Sequence, residues 1–368
     1  MQRRTERLCR GIRDLGADAY WVVAPVNVRY LCGFTGQDST LLVTADGHTV
    51  LVTDSRFAEQ ARREADVEDV VCRSGRMTAA VAEGCGDLDV RRLAVTASRV
   101  SHGKWCALGD AAPELERQAS DEGVPEQLRA RKSEAEIEAI RRAIEVNENA
   151  FRRWLRWLEP GETEERAAAR LEYEQRLCGA EGPSFETICA SGPRGSMPHA
   201  RTGPNELQEG SALLVDWGAR VDGYCSDLTR TLSVGKMPQK TRELRRIASE
   251  AQAAALDTLG PDVPAARVDE AAREVIRRHG YGDHIAHSCG HGVGLEVHEA
   301  PRLSVKRDET LKPGMVVTVE PGIYIEGEAG ARVEDIAVVT EEGCRVLSSL
   351  EQSPEEVARS QSGGMPST

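Results

Sequence analysis

Residues 212–234 read ALLVDWGARVDGYCSDLTRTLSV, and the fold of the chain's second half is decided here. Two strand-like runs, 212–217 and 228–234, are separated by Asp222-Gly223, a strong hairpin signal. With these two as the turn residues, Asp216 pairs with Thr229 and Asp227 with Gly218. The two aspartates are then diagonal neighbours on one face, roughly 7–8 Å apart at the backbone. A turn shifted slightly sets them directly opposite instead. In either register both side chains reach one pair of metal ions; the plainer alternative is two aspartates on a solvated face.

The same arrangement recurs downstream. The strand patterns 316–320 (VVTVE) and 331–339 (ARVEDIAVV) flank a Gly-rich loop at 326–330, with Glu320 and Glu334 placed symmetrically about residue 327. Apolar neighbours predict a buried hairpin, where acids are unusual. A salt bridge from Glu334 to Arg230 or Arg332 is the competing explanation. Between the hairpins, 287–299 reads HSCGHGVGLEVHE and holds three of the eight histidines. His287 and His291 have the spacing of a helical metal pair, but Gly290, Gly292 and Gly294 predict an extended, closely packed segment. One ligand, His291, is expected from it, with the other histidines lining a cleft. In ASGPRGSMPHAR (190–201), His199 follows a Gly/Pro-rich loop of the kind that faces substrate, or is a surface histidine.

Four carboxylates and an imidazole cannot be buried together without compensation, because even one unpaired buried charge is very costly. Two divalent cations neutralise four carboxylates, and an oxygen-rich set suits manganese better than thiolate-seeking metals. The sequence therefore predicts a dinuclear metal hydrolase.

The rest of the chain is consistent with that chemistry. Its 368 residues predict two domains, and the net charge of −13 argues against nucleic acid or an anionic membrane as partner. Ten cysteines without a C-x-x-C pair read as reduced thiols of a cytoplasmic protein. The first residues form an amphipathic helix (about 3–15) without a signal peptide's apolar core, and no run approaches a membrane span. Residues 1–125 alternate helix and strand: strands at 19–23, 70–72 and 93–96, a hairpin turning at Asp46-Gly47, and a helix at about 56–65. This is an α/β domain with a mixed sheet. A joint is expected near Gly123. Ser133 and Glu136 then form a capping box opening a long helix, and Thr163 caps a second. Helices at about 240–259 and 266–279 interrupt the strands of an α+β domain over 126–352, and 353–368 is a polar tail expected to be disordered.

The ordered motifs D-x-G-A, S-D-x-T-R-T, G-H-G-x-G, V-E-P-G-x-Y and R-x-E-D resemble the pita-bread metallopeptidases, the family of aminopeptidase P, prolidase, methionine aminopeptidase and the metal-free creatinase. NVRYLCGFTG and VTDSRFAEQA resemble the creatinase-type N-terminal domain, which methionine aminopeptidase usually lacks. The resemblance implies a peptidase acting before proline, and dimerisation, which is frequent in this family. It implies that Asp216 holds one ion, that Asp227 and Glu334 bridge, and that His291 and Glu320 hold the other, with Mn2+ favoured and Co2+ or Zn2+ as substitutes. It makes Glu320 the proton acceptor and His287 and His298 the donors to the tetrahedral intermediate. His199 and Tyr324 face the substrate; Arg332 is a structural or substrate residue.

Proline-containing peptides make physical sense as substrate. The bond before proline is a tertiary amide without an N–H, so recognition through backbone hydrogen bonds fails there. Arg302, in HEAPRLS, resembles an arginine that pairs with the free proline carboxylate in small microbial prolidases, giving a slight lean towards dipeptides over longer peptides. A catalytically silent interaction protein and a creatinase-like C–N hydrolase are the rival readings; both typically lose metal ligands, and all five are intact here.

Overall fold

The computed structural model describes residues 2–121 and 123–351, so the expected tail at 353–368 lies outside the described residues. The chain divides into two compact units, Met1–Arg129 and Ala130–Thr368.

Six strands form the mixed sheet of the first unit: β1 (Ala19–Val22), β2 (Thr40–Thr44), β3 (Thr49–Asp54), β4 (Asp69–Arg73), β5 (Arg92–Thr96) and β6 (Glu116–Ser120), in the order β4-β3-β2-β1-β5-β6. β1, β2 and β3 are antiparallel, and the outer strands join in parallel. The β2–β3 turn falls at Asp46-Gly47, with Gly47 at φ 107°. Helices α1 (Gln2–Asp14), α2 (Pro25–Cys32), α3 (Ala58–Glu64), α4 (Met77–Asp87), α5 (His102–Ala111) and α6 (Val124–Ala130) complete the order. The sequence reading assigned no element to α2, α4, α5 or β6. α2 is short and sits between Pro25 in its first turn and Gly33 at φ 80° beyond its end, so its signals are caps and not periodicity. Trp21, Leu42, Val50 and Leu93 of the sheet pack with Val81, Cys85 and Leu108 of α4 and α5.

The second unit opens with α7 (Glu134–Trp154). The Glu136 carboxylate accepts from Ser133 N at 3.0 Å and from its Oγ at 2.8 Å, the expected capping contact. Thr163 accepts from Arg166 N at 3.2 Å and caps α8 (Glu164–Leu177). Then come β7 (Gly182–Pro183), β8 (Ile188–Ser191), β9 (Ser211–Trp217), β10 (Ala219–Val221), β11 (Tyr224–Cys225) and β12 (Leu228–Val234). The β9–β12 register pairs Thr229 with Asp216 and Leu228 with Trp217. It continues through Arg220–Cys225 and Val221–Tyr224 to Asp222 (φ 48°) and Gly223 (φ 73°). Two positive φ values in a two-residue loop are the type I′ turn. The first of the two registers read from the sequence is the one observed.

α9 (Gln239–Thr258) and α10 (Ala265–Arg278) pack over β13 (Gly290–Gly292), β14 (Glu299–Leu303), β15 (Val316–Val319), β16 (Gly322–Ile325), β17 (Ala329–Arg332), β18 (Asp335–Val339) and β19 (Cys344–Val346). The second hairpin keeps one register in two ladders: β15 pairs with β18, and β16 with β17. Residues 320, 321, 333 and 334 lie in the gap between them. Pro321 has no N–H to give a ladder. Glu320 N bonds instead to Cys289 O at 2.7 Å and Glu334 N to Thr229 O at 3.1 Å. Gln252 of α9 fills the gap from behind, donating to Val319 O at 2.8 Å and to Asp335 Oδ2 at 3.1 Å. Both glutamates sit where the sheet opens.

Candidate metal centre

The two hairpins and β13 meet around a cleft of about 510 Å³ lined by Asp216, Asp227, His291, Glu320 and Glu334, with His199, His287, His298, Arg302 and Arg332. Ligand atoms of Asp227, His291 and Glu334 lie within 4.8 Å of one another. His291 Nε2 is 3.4 Å from Glu320 Oε1 and 3.6 Å from Asp227 Oδ2. Its Nδ1 lies 3.1 Å from Gly292 O, a contact that places the ring proton on Nδ1 and leaves the Nε2 lone pair facing the carboxylates. Burial and the neighbouring His298 push the His291 pKa down to about 3, so the ring is neutral.

Among the described residues one guanidinium is bonded to these four carboxylates, Arg332, which donates to Asp216 Oδ2 at 2.6 Å. The acids outnumber the positive charges that reach them, so negative charge is left in excess. The strain is visible in the acids. Burial, then the charges of Glu334, Asp216 and Glu320, drive the Asp227 carboxyl well above its ordinary range. Glu334 is raised in the same way by burial and by Glu320 and Asp216, and burial takes Glu320 up to about 7. The second oxygen of Asp216 is buried with no hydrogen-bond partner among the described residues. A partnerless carboxylate oxygen, an imidazole lone pair and an excess of negative charge fit divalent cations, and the oxygen-rich donor set fits hard ones.

The other expected site residues divide into two groups. His199 and His298 are exposed at the cleft, and among the described residues neither ring nitrogen has a hydrogen-bond partner. The His298 ring stands edge-on to His291, centroids 4.3 Å apart. His287 also lines the cleft, with both ring nitrogens engaged. Its Nδ1 lies 2.8 Å from Ser288 O and its Nε2 2.7 Å from the Tyr324 hydroxyl, so the ring donates to the carbonyl and accepts from the tyrosine. Tyr324, expected to face the substrate, and Arg332, expected in a structural or substrate role, are buried and turn their polar atoms towards the centre. Arg332 donates to Tyr324 Oη at 2.8 Å, Thr229 Oγ1 at 3.0 Å and Pro198 O at 3.1 Å as well as to Asp216. Arg302 pairs with His291 across β13 and β14, is exposed, and has no ion-pair or hydrogen-bond partner among the described residues.

Sequence reasoning offered Arg230 only as a salt-bridge partner of Glu334 and passed over the other groups behind the ligands. Arg230, fully buried, donates to Glu334 O at 2.6 Å, Asp335 Oδ1 at 2.8 Å and Leu350 O at 2.7 Å. Lys132 and Glu299 form a buried ion pair at 2.7 Å next to His298. A usable signal existed for the first: Arg230 and Asp335 each stand inside an otherwise apolar or hydroxyl strand, where a charge needs a partner.

Residues 138–341 match metallopeptidase family M24, and residues 4–131 the creatinase/prolidase N-terminal domain. A Xaa-Pro dipeptidase of Pyrococcus furiosus is 34% identical over 96% of this chain and 99% of its own length. The crystal structure of an X-Pro aminopeptidase from Thermotoga maritima superposes with a TM-score of 0.87 at 38% identity, covering 94% of this chain and 99% of that one. A Xaa-Pro dipeptidase from Bacillus anthracis gives 0.92 at 34%, covering 96% and 98%. With the pita-bread centre and the mixed-sheet unit both present, the chain belongs to metallopeptidase family M24, carrying a creatinase/prolidase N-terminal domain ahead of the catalytic one.

Proposed function

We propose that this protein hydrolyses the bond preceding proline in short peptides, with a lean to Xaa-Pro dipeptides, as a cytoplasmic homodimer loaded with two divalent ions, manganese foremost. The observation carrying this reading is the cleft itself, where four carboxylates and a neutral imidazole converge beside Arg302, an arginine with no partner among the described residues. Relatives named Xaa-Pro dipeptidase and X-Pro aminopeptidase support the bond and leave the substrate's length to Arg302. The ten cysteines are all free, which supports a reducing compartment.

In this reading Asp216, Asp227, His291, Glu320 and Glu334 would hold the two ions. Bound there, the ions would supply a water acidic enough to attack near neutral pH and a Lewis acid for the carbonyl. Glu320 takes the proton from the attacking water on its carboxylate. His298, free to donate into the cleft, steadies the oxygen on which negative charge develops. The proline nitrogen must gain a proton to leave, and the cleft histidines are placed to pass it. Tyr324, hydrogen-bonded to both His287 and Arg332, fixes the His287 ring and the guanidinium that orients Asp216.

The test is hydrolysis by metal-depleted protein given back manganese, with Ala-Pro, Ala-Pro-Ala and Ala-Ala as substrates. The proposal expects manganese-dependent cleavage before proline and almost none of Ala-Ala. Equal cleavage of Ala-Ala, or none of either proline peptide at full metal loading, would sink it.

A further inference from the structure

One fully buried carboxylate of the second unit lies outside the metal centre and is absorbed by none of the roles above. Glu164, the first residue of α8, is 0% exposed. Its Oε1 accepts from Ser191 N and Ser191 Oγ, both at 2.8 Å, and from Arg194 Nε at 3.1 Å. Its Oε2 accepts from Gly203 N at 3.1 Å and Asn205 Nδ2 at 3.4 Å. One side chain thus receives bonds from both ends of the 191–203 segment. The backbone repeats the connection: Glu164 N bonds to Asn205 O at 2.9 Å and Glu165 N to Gly203 O at 3.1 Å, using amides that a helix start leaves unsatisfied.

The segment so closed supplies one wall of the cleft, with His199, Ala200, Arg201 and Thr202 lining it. Among the described residues its middle makes lighter contacts, Arg332 to Pro198 O at 3.1 Å and Gly327 N to Ser196 Oγ at 3.2 Å, and near its far end Thr202 Oγ1 donates to Thr187 O at 2.8 Å. A loop closed at both ends by one charged acceptor keeps a narrow range of shapes, and a histidine carried on it keeps its position. We infer that Glu164 is a positioning residue: it clamps the two ends of the 191–203 loop and so sets where His199 meets the peptide. Its effect on turnover rests on the peptidase reading above; the clamp itself does not.

Glu164→Gln keeps the size of the side chain but places an amide donor where only donors point. The expected result is faster hydrogen exchange, about tenfold or more, at the amides of Ser191 and Gly203, with amides of β9 and β12 unchanged and metal content equal to wild type. Because small misplacements of a binding group cost up to about 100-fold in rate, kcat/KM for Ala-Pro should fall about 10- to 100-fold. In a His199→Ala background the same substitution should cost less than about threefold, since the group it positions is gone. Arg194→Met, at a half-exposed partner, should give the same pattern at smaller size, and it carries the test if Glu164→Gln does not fold. Unchanged loop exchange, or losses that multiply with His199→Ala, would overturn the inference. An inactive wild type would sink the peptidase reading alone, and the exchange rates would then decide the clamp.

Discussion

Arg302→Ala separates the two substrate lengths, and the structure sets the size of the effect. Arg302 stands across the β13–β14 pair from His291, lines the cleft, and is exposed without a partner among the described residues. Its charge reaches the site, since it helps lower both His291 and His298 after burial has done most of that work. A hydrogen bond to a charged group contributes about 1.5–3 kcal/mol in a sheltered place. Exposure lowers this towards the ~0.2–1 kcal/mol of surface pairs, so an intermediate ~1–2 kcal/mol is reasonable. With each 1.36 kcal/mol worth tenfold, about 5- to 30-fold in kcat/KM for Ala-Pro should be lost, chiefly through KM. Ala-Pro-Ala, whose proline carbonyl continues into a peptide bond, should lose less than about threefold.

Salt provides a second readout of the same contact. Screening over about 10 Å at 0.1 M weakens an exposed pair, so the wild-type preference for Ala-Pro should shrink between about 0.05 and 0.5 M salt and the variant should be indifferent. The assay is steady-state hydrolysis of both peptides at saturating manganese, with metal content measured alongside. Equal losses on both lengths would refute the carboxylate contact. No loss on either would make Arg302 a surface residue, and the chain would then be better described as acting on longer Xaa-Pro peptides.

Three further outcomes are expected. His298→Ala should keep its full metal content by elemental analysis and lose about 10²–10³ in kcat, the usual effect of removing one positioned donor. In the metal-free protein, Asp227, Glu320 and Glu334 bind protons more tightly folded than unfolded, so their contribution to stability is present at low pH and lost as pH rises, through about 7 for Glu320. His287 and His291, held down at about 4 and about 3, act oppositely but finish titrating near their unfolded value of about 6.5. Urea unfolding from pH 6.5 to 8.5 with chelator should therefore show falling stability, absent with manganese and reduced in Asp227→Asn, which should also lack activity. Gln252→Leu should cost about 1–3 kcal/mol in the same unfolding assay, by stranding Asp335 Oδ2 in the core and removing one of two bonds to Val319 O, and should weaken manganese binding; unchanged stability would show that the gap in the hairpin is satisfied without it.

What was legible in the sequence was what neighbours in the chain dictate. Asp222-Gly223 marks a type I′ turn, and a turn fixes a register, so the relation of Asp216 to Asp227 was narrowed to two registers before any coordinates, the first of which is observed. Glycines around His291 identified an extended segment. The capping residues Ser133 and Thr163 placed two helix starts. Illegible were the pairings made across long separations. Gln252 sits in AQAAAL, an unremarkable helical stretch, yet bonds to residues 67 and 83 positions away. Lys132 and Glu299 are charged side chains of the kind that normally cover a surface, and only the tertiary fold buries them together. For His287 the residue type was readable, but which partner takes each ring nitrogen depends on Tyr324, which the chain brings from another hairpin.

The register at 320 and 334 explains how ligands from separate segments converge. Val319–Asp335 is a hydrogen-bonded pair of the hairpin, so Glu320 and Glu334, the next pair, point their backbone amides outward from it, and because Pro321 gives no N–H the ladder opens beside them. Glu320 N then reaches Cys289 O, two residues before His291, and Glu334 N reaches Thr229 O, two residues after Asp227. Each glutamate is fastened by its own backbone beside the strand that carries another ligand. The Thr229 hydroxyl completes the link, donating to Glu334 Oε2 at 2.6 Å while accepting from Arg332, which also holds Asp216. The spacing of these carboxylates is therefore set by main-chain hydrogen bonds and one buried guanidinium. Such a framework keeps mutually repelling acids together in the folded chain, where cations can neutralise them.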